Sequence, residues 1–300
     1  MLNKKGETFM KKIFILAVLL IISVTALGSC GGSSFDDSRN ITVIVREDGS
    51  GTKSAFMDII GLGGKADLPT VIIQQSTAAV NAEIRANTAA IAYESLGFID
   101  ANDVKVLKID GVEATVANIR NGSYKISRPL SVVYKEAVLG DDVNQAFFTF
   151  LQSSNAQKII SDEGFVPVVD NAPDYIINGA LSGSIDISGS TSLQPLMLLL
   201  ELEFKTLQPN ITLNISGGGS GTGYNNAENS VSVFGMISEV FDPVKRETPS
   251  LTSYEVAKDG IAVIVHKDNP LVNITMDQLK NIYDSEAGAD AITVWNMLKE

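Results

Sequence analysis

Three times in this chain a short apolar run stops at a loop of Gly, Ser and Thr, and a helical pattern begins: Gly49 to Thr52, Gly189 to Ser192, and Gly219 to Gly223. Apolar runs of this length are buried strands rather than helices, and their alternation with helical periodicity restricts the fold class to α/β. Ile41 to Val45 reads as the first strand and Thr52 to Ile60 as the helix that follows. Further strands are expected at Val71 to Ile73, Ala90 to Tyr93, Val104 to Ile109 and Leu130 to Tyr134, with helices at Ser76 to Asn87, Asp141 to Gln152 and Asn155 to Asp162. Asp170 to Gly183, rich in Asn, Pro and Gly, interrupts the pattern as a linker. The alternation then restarts with strand Ile185 to Ser188, a helix from Thr191 to about Leu207 with Pro195 in its first turn, and strand Ile211 to Ile215. Strands at Val233 to Ile237 and Gly260 to Val265 and a helix at Met276 to Tyr283 complete the reading.

The chemistry lies in the loops. The first N–H groups of a helix have no intrahelical partner and carry partial positive charge. Gly lets backbone approach a ligand, and Ser and Thr hydroxyls cap the helix or donate to an anion. Any one such loop is an ordinary capped helix start. Three of them with Arg46 beside one make a convergent oxyanion site the better reading. Arg46 can pair two-pronged with oxyanion oxygens, while Asp48 is placed to orient it from behind. The bland alternative for Arg46 is a surface ion pair with Glu47 or Asp48.

The first residues address the chain rather than build the fold. Lys11 and Lys12 precede an apolar run from Ile13 to Leu27, then Gly28, Ser29 and Cys30. That is the order of a secretory signal, and the run is shorter than the roughly 20 residues of a membrane span. Translation can start at Met1 or at Met10. Leu27-Gly28-Ser29-Cys30 resembles the bacterial lipobox, which implies cleavage after residue 29 and acylation of Cys30, the single cysteine. Residues 30–40 read as lipidated Cys and flexible tether. Removing residues 1–29 discards Lys4, Lys5, Lys11, Lys12 and Glu7 and takes the formal charge from −12 to −15. A body this acidic gains nothing from counterion release, so nucleic acid is not an expected partner.

Enzyme classes find little support. No glycine loop continues into Gly-Lys-Ser/Thr, and neither Ser50 nor Ser220 stands in Gly-x-Ser-x-Gly. His266 is the sole histidine, so catalytic triads and metal sites both lack members, and no cofactor is implied.

Arg46-Glu-Asp-Gly-Ser-Gly-Thr52 resembles the Arg-x-Asp-Gly-Ser-Gly-Thr segment of the phosphate-binding proteins of ABC uptake systems, the PstS family. The resemblance implies phosphate contacts at Arg46, Ser50, Gly51 and Thr52. It extends to Gly189-Ser-Thr-Ser-Leu-Gln-Pro195, implying contacts at Thr191 and Ser192, and to Gly219-Ser-Gly-Thr-Gly223, implying Ser220. Family members place an Asp acceptor for the phosphate proton after a Gly-x-Ser segment. Here the stretch is Phe234-Gly-Met-Ile-Ser-Glu239, so either Glu239 supplies the acceptor or Ser238 donates.

The order of segments resembles a circular permutant, with the family's second half, about residues 41–169, ahead of its first, about 184–300. The resemblance implies a two-lobed type II periplasmic-binding-protein fold with the ligand cleft between lobes and the order of halves permuted. Residues 41–126 plus 267–300 would form one lobe and 127–266 the other, with crossings near Ser127 to Leu130 and near Val265 to Lys267. The expected function is capture of inorganic phosphate outside the cell membrane, where the protein is lipid-anchored, and delivery to ABC permease subunits, with no catalysis. Binding of sulfate, molybdate or tungstate, a surface phosphatase-like activity, and a purely structural lipoprotein are the alternatives.

Overall fold

The computed structural model describes residues 35–100 and 102–298; the expected signal segment and the expected lipidation site, Cys30, lie outside them. From Asp37 onward the chain forms one compact unit. In chain order it runs β1 (Thr42–Arg46), α1 (Gly51–Ile59), β2 (Ile72–Gln74), α2 (Thr77–Ala86), β3 (Ala90–Ser95), β4 (Val104–Val106), β5 (Lys108–Ile109) and α3 (Val116–Arg120). It continues through β6 (Ser127–Tyr134), α4 (Asp142–Leu151), α5 (Ser154–Asp162), β7 (Val166–Pro167), β8 (Gly183–Gly189), α6 (Gln194–Leu207) and β9 (Ile211–Ser216). The last elements are α7 (Ser220–Glu228), β10 (Phe234–Ile237), β11 (Thr252–His266), β12 (Asn273–Ile274) and α8 (Met276–Tyr283). Local chemistry sets several starts: Ser50 caps α1, Ser76 caps α2, Asp141 caps α4, and Thr275 with Gln278 forms a capping box on α8.

Most strands join one sheet in the order β2-β1-β3-β11-β6-β10-β8-β9, with β4 and β7 also on β11. The β2-β1-β3 and β10-β8-β9 groups are each parallel, as strand-helix-strand units require. They are joined by antiparallel β11 and β6. β11 is the strand that makes two lobes. Thr252 to Gly260 pairs with β6, and Ile261 to Val265 pairs with β3. Each half packs on its own core. Val256 and Ala257 belong to a cluster with Phe147, Phe150, Leu200 and Phe204, while Ala262 and Ile264 belong to one with Ile44, Val80, Ile84 and Ala92.

The change of partner falls between Gly260 and Ile261, ahead of the crossing expected near Val265 to Lys267, so Ile261 to His266 sides with the β1 half. The expected strand Gly260 to Val265 was only the uniformly apolar end. Thr252 to Asp259 carries Glu255, Lys258 and Asp259, which hide a strand whose first four residues are half-buried. The stretch leading into β6 runs beside this change of partner: Ile261 N–H donates to Ile126 O at 2.8 Å, and Tyr124 Oη donates to Ile261 O at 2.8 Å. The helix expected from Thr191 starts at Gln194 instead, because the Ser190 hydroxyl accepts the Ser192 and Leu193 N–H groups and holds the intervening residues in a turn.

Candidate functional site

Arg46 ends β1 with its backbone N–H donating to the Tyr93 hydroxyl, and its side chain is buried, at 1% exposure. Burial of a guanidinium is costly unless its donors are met. Here Nε donates to Glu47 Oε2 at 2.9 Å, and Nη2 donates to Glu47 Oε1 at 3.0 Å and Thr191 Oγ1 at 2.9 Å. Nη1 donates to Glu94 Oε1 at 3.2 Å and Thr77 Oγ1 at 3.5 Å. Desolvation works against the charge, yet Glu94 and Glu47 outweigh it and keep Arg46 protonated more firmly than usual.

Thr191 of the Gly189 loop touches this guanidinium, and the other two loops are tied to that loop and to each other. Gly49 adopts a φ of +88°, which turns the chain so that Ser50 can cap α1 through Lys53 N–H. Thr52, in the first turn, lies 2.8 Å from Ser192 of the Gly189 loop, hydroxyl to hydroxyl, and Ser192 lies 3.3 Å from Thr77. Gly221 N–H, at the start of α7, donates to Gly49 O at 3.0 Å and ties the third loop to the first. Ser220 Oγ accepts the Ser238 N–H at 3.0 Å and faces Ser238 Oγ at 3.4 Å. A Cβ at residue 51 would fall on Ser220 Oγ, so glycine there is a packing requirement of this close approach. Ser50, Thr52, Ser192, Ser220 and Ser238 are buried, and Thr191 is half-buried.

Two residues named in advance sit elsewhere. Asp48 does not orient Arg46: its side chain is 98% exposed and pairs with Lys53 at 2.7 Å, because the loop turns it outward. Glu239 is buried, but Arg246 takes both its oxygens at 2.8 and 2.6 Å, so it is not among the carboxylates around Arg46.

Two further charged side chains, not expected from the sequence, join the cluster. Arg128, at the head of β6, is buried. It donates to Asp259 Oδ2 through Nη2 at 3.1 Å and Nε at 3.3 Å, and through Nη1 to Thr52 Oγ1 at 2.6 Å and Ser238 O at 3.0 Å. Thr52 Oγ1 thus stands between the Arg128 guanidinium and the Ser192 hydroxyl. Glu94, fully buried in β3, faces Arg46, and its other oxygen accepts the Ser95 N–H. Burial pushes the Glu94 and Asp259 carboxyls upward, with Arg46 opposing at Glu94 and Arg128 opposing at both, and burial pulls Arg128 down. The signal for Glu94 was present: a lone carboxylate in an otherwise apolar run, just past the expected end of that strand. Arg128 carried a weaker one, a single charge directly before Pro129 and a strand.

A carboxyl whose folded pKa is raised stabilises the fold below its unfolded value, and that contribution is lost as pH climbs through the raised value. The Glu94→Gln variant is therefore expected to lose less stability than the wild type as pH rises from the ordinary glutamate value of 4.5 toward neutrality. Thermal unfolding of both proteins across that range measures it; parallel profiles would refute it.

A cavity of about 520 Å³ opens beside the first loop, lined by Gly49, Ser50, Lys53, Lys65 and Arg246 among others. Its cations are answered by Asp48, Asp67, Asp284 and Glu239, so anion attraction rests on the buried cluster rather than on the rim. No group of three His, Cys, Asp or Glu suited to a metal ion occurs among the described residues.

Two parallel strand groups on a shared crossing strand, with three linked Gly-Ser-Thr loops beside a buried guanidinium, are the arrangement the comparisons address. A profile of the PBP superfamily domain matches residues 35–155 and 177–299. The chain is 32% identical over 300 residues to the phosphate-binding protein PstS 2 of Streptococcus pneumoniae serotype 4, covering 96% of this chain and 99% of that one. It is 31% identical to the phosphate-binding protein PstS of Pseudomonas aeruginosa over 127 residues, 40% of this chain and 39% of the other. The crystal structure of a phosphate ABC transporter phosphate-binding protein from Streptococcus pneumoniae TIGR4 superposes with a TM-score of 0.69 at 32% identity, covering 87% of this chain and all of that one. The chain belongs to the PBP superfamily, within the PstS family of phosphate-binding proteins.

Proposed function

We propose that this chain is an extracytoplasmic binding protein that closes on inorganic phosphate and passes it to an ABC permease. The observation that carries the reading is the meeting of Arg46, Thr52, Thr191, Ser192 and Ser220 from three separate loops at two helix starts and one turn. Hydroxyls, helix-start N–H groups and a two-pronged cation match a tetrahedral oxyanion, and burial strengthens each contact by lowering the local dielectric. The full-length relative and the superposed structure both carry phosphate in their names. In this reading Ser50, Gly51 and Ser238 complete the wall, and Cys30 holds the protein to the membrane through lipid. Binding without turnover is what such a site performs.

The permuted order of halves belongs to the same proposal. Its support is that the PstS 2 relative aligns end to end, while the Pseudomonas PstS aligns over two-fifths of either chain. Chain ends near one another at a domain surface make such a rearrangement physically accessible. The lobes of this reading are residues 41–126, 261–266 and 267–298 on one side and 127–260 on the other, as β11 pairing and the two cores suggest.

Titration calorimetry on the phosphate-free protein at neutral pH is the test. Phosphate is expected to bind with micromolar Kd or tighter, about −8 kcal/mol, and sulfate far more weakly. Tight sulfate binding without phosphate binding would reassign the site to another oxyanion.

A further inference from the structure

The five N–H donors of Arg46 meet five acceptors within the protein: Glu47 twice, Glu94, Thr77 and Thr191. An incoming oxyanion can reach this guanidinium only by displacing one of them. Glu94 and Thr77 are buried in the β1 half, and Thr191 is a hydroxyl of the clamp itself. Glu47 differs. Its carboxylate lies side-on against Nε and Nη2, the two-pronged geometry that a phosphate takes on arginine. Its Oε1 stands 3.6 Å from the point where a Cβ on Gly219 would be, so it also faces the start of α7. At 16% side-chain exposure, against 0% for Glu94 and 1% for Asp259, it is the one carboxylate of this cluster with a way out to solvent.

We propose that the Glu47 carboxylate is a tethered stand-in for the ligand: it occupies the anion position on Arg46 and must swing into solvent when phosphate binds. The inference rests on the phosphate-binding reading of the same site. Charge argues for exchange over simple addition. Two guanidinium groups, Arg46 and Arg128, already face three carboxylates, Glu47, Glu94 and Asp259. A phosphate added to that set would stack negative charge in a desolvated pocket, whereas releasing Glu47 to water removes one charge as the ligand brings its own. The device keeps a buried arginine paired when no ligand is bound, so the site can stay organised. It also lowers the apparent affinity, since the competent state is only the fraction with Glu47 swung out. Glu47 thereby sets where the affinity lies and speeds release to a permease.

The test compares wild type with Glu47→Gln, which keeps the shape and removes the charge, and Glu47→Ala, which removes the arm. Calorimetry with inorganic phosphate and with sulfate, both freed of prior ligand, reads the result. With Glu47 docked roughly 90–99% of the time, both variants are expected to bind phosphate about 10- to 100-fold more tightly, and stopped-flow release is expected to slow. Unchanged phosphate affinity would overturn the inference. Weakened phosphate binding with strengthened sulfate binding would overturn it as well, and would make Glu47 the acceptor of the phosphate proton. A wild type that binds no phosphate would sink the functional reading itself, a different outcome from a wild type that binds and variants that bind no better.

Discussion

The Arg46→Ala variant is expected to bind phosphate about 10²- to 10⁴-fold more weakly than the wild type, enough to take a micromolar site out of calorimetric reach. The estimate follows from losing two charge-assisted hydrogen bonds at about 1.5–3 kcal/mol each. Arg46 is not the sole cation of the site, since Arg128 lies behind Thr52, yet Arg128 is committed to Asp259, Thr52 and Ser238. The fold is expected to survive with a lower Tm, since Glu94 loses its buried cation. Glu47 can hydrate at the edge, and Glu94, whose carboxyl burial already pushes upward, can take a proton in place of its lost partner. Calorimetry together with thermal unfolding separates the two effects. A folded Arg46→Ala protein with wild-type affinity would place the ligand elsewhere.

Arg128→Met is expected to act on stability first. The substitution leaves Asp259 buried without its cation, and breaking a buried pair from one side costs about 3–5 kcal/mol. For a chain of this size each kcal/mol moves Tm by about 2–4 °C, so a fall of roughly 6–20 °C should appear. Adding Asp259→Leu to Arg128→Met should restore much of that loss, because an apolar pair carries no desolvation debt. Phosphate affinity should not return with it, because Thr52 Oγ1 and Ser238 O both lose the Arg128 donor that holds them in place. Differential scanning calorimetry of the single and double variants, each with and without phosphate, provides the comparison. A single variant that melts with the wild type would show that this pair does not hold the crossing together.

Much of the fold was legible in the amino-acid order because strand and helix periods differ. The runs at Ile41 to Val45 and Met276 to Tyr283 were readable to within a residue, since burial selects apolar residues at the period of each element. The three glycine-rich loops were legible for a related reason: backbone turns with positive φ, as at Gly49 and Gly219, demand particular residues wherever they occur. Arg46 and the loop residues Thr52, Thr191, Ser192 and Ser220 could therefore be singled out as candidates from these loops and their resemblance to the family's segments.

What only the tertiary structure decided is which charges meet. Glu47, Asp48 and Glu239 look alike in one dimension, and the chain's path separates them: Glu47 folds back onto Arg46, Asp48 turns to solvent, and Glu239 is taken by Arg246. Arg128 and Glu94 reach the cluster because β11 carries Asp259 through the crossing and lays β3 and β6 along its two halves. Residue type and local period determine the elements and the loops that turn into helices. Pairing among buried charges depends on distances between segments far apart in the chain, and Coulomb energy in a desolvated pocket is set by those distances rather than by sequence neighbours.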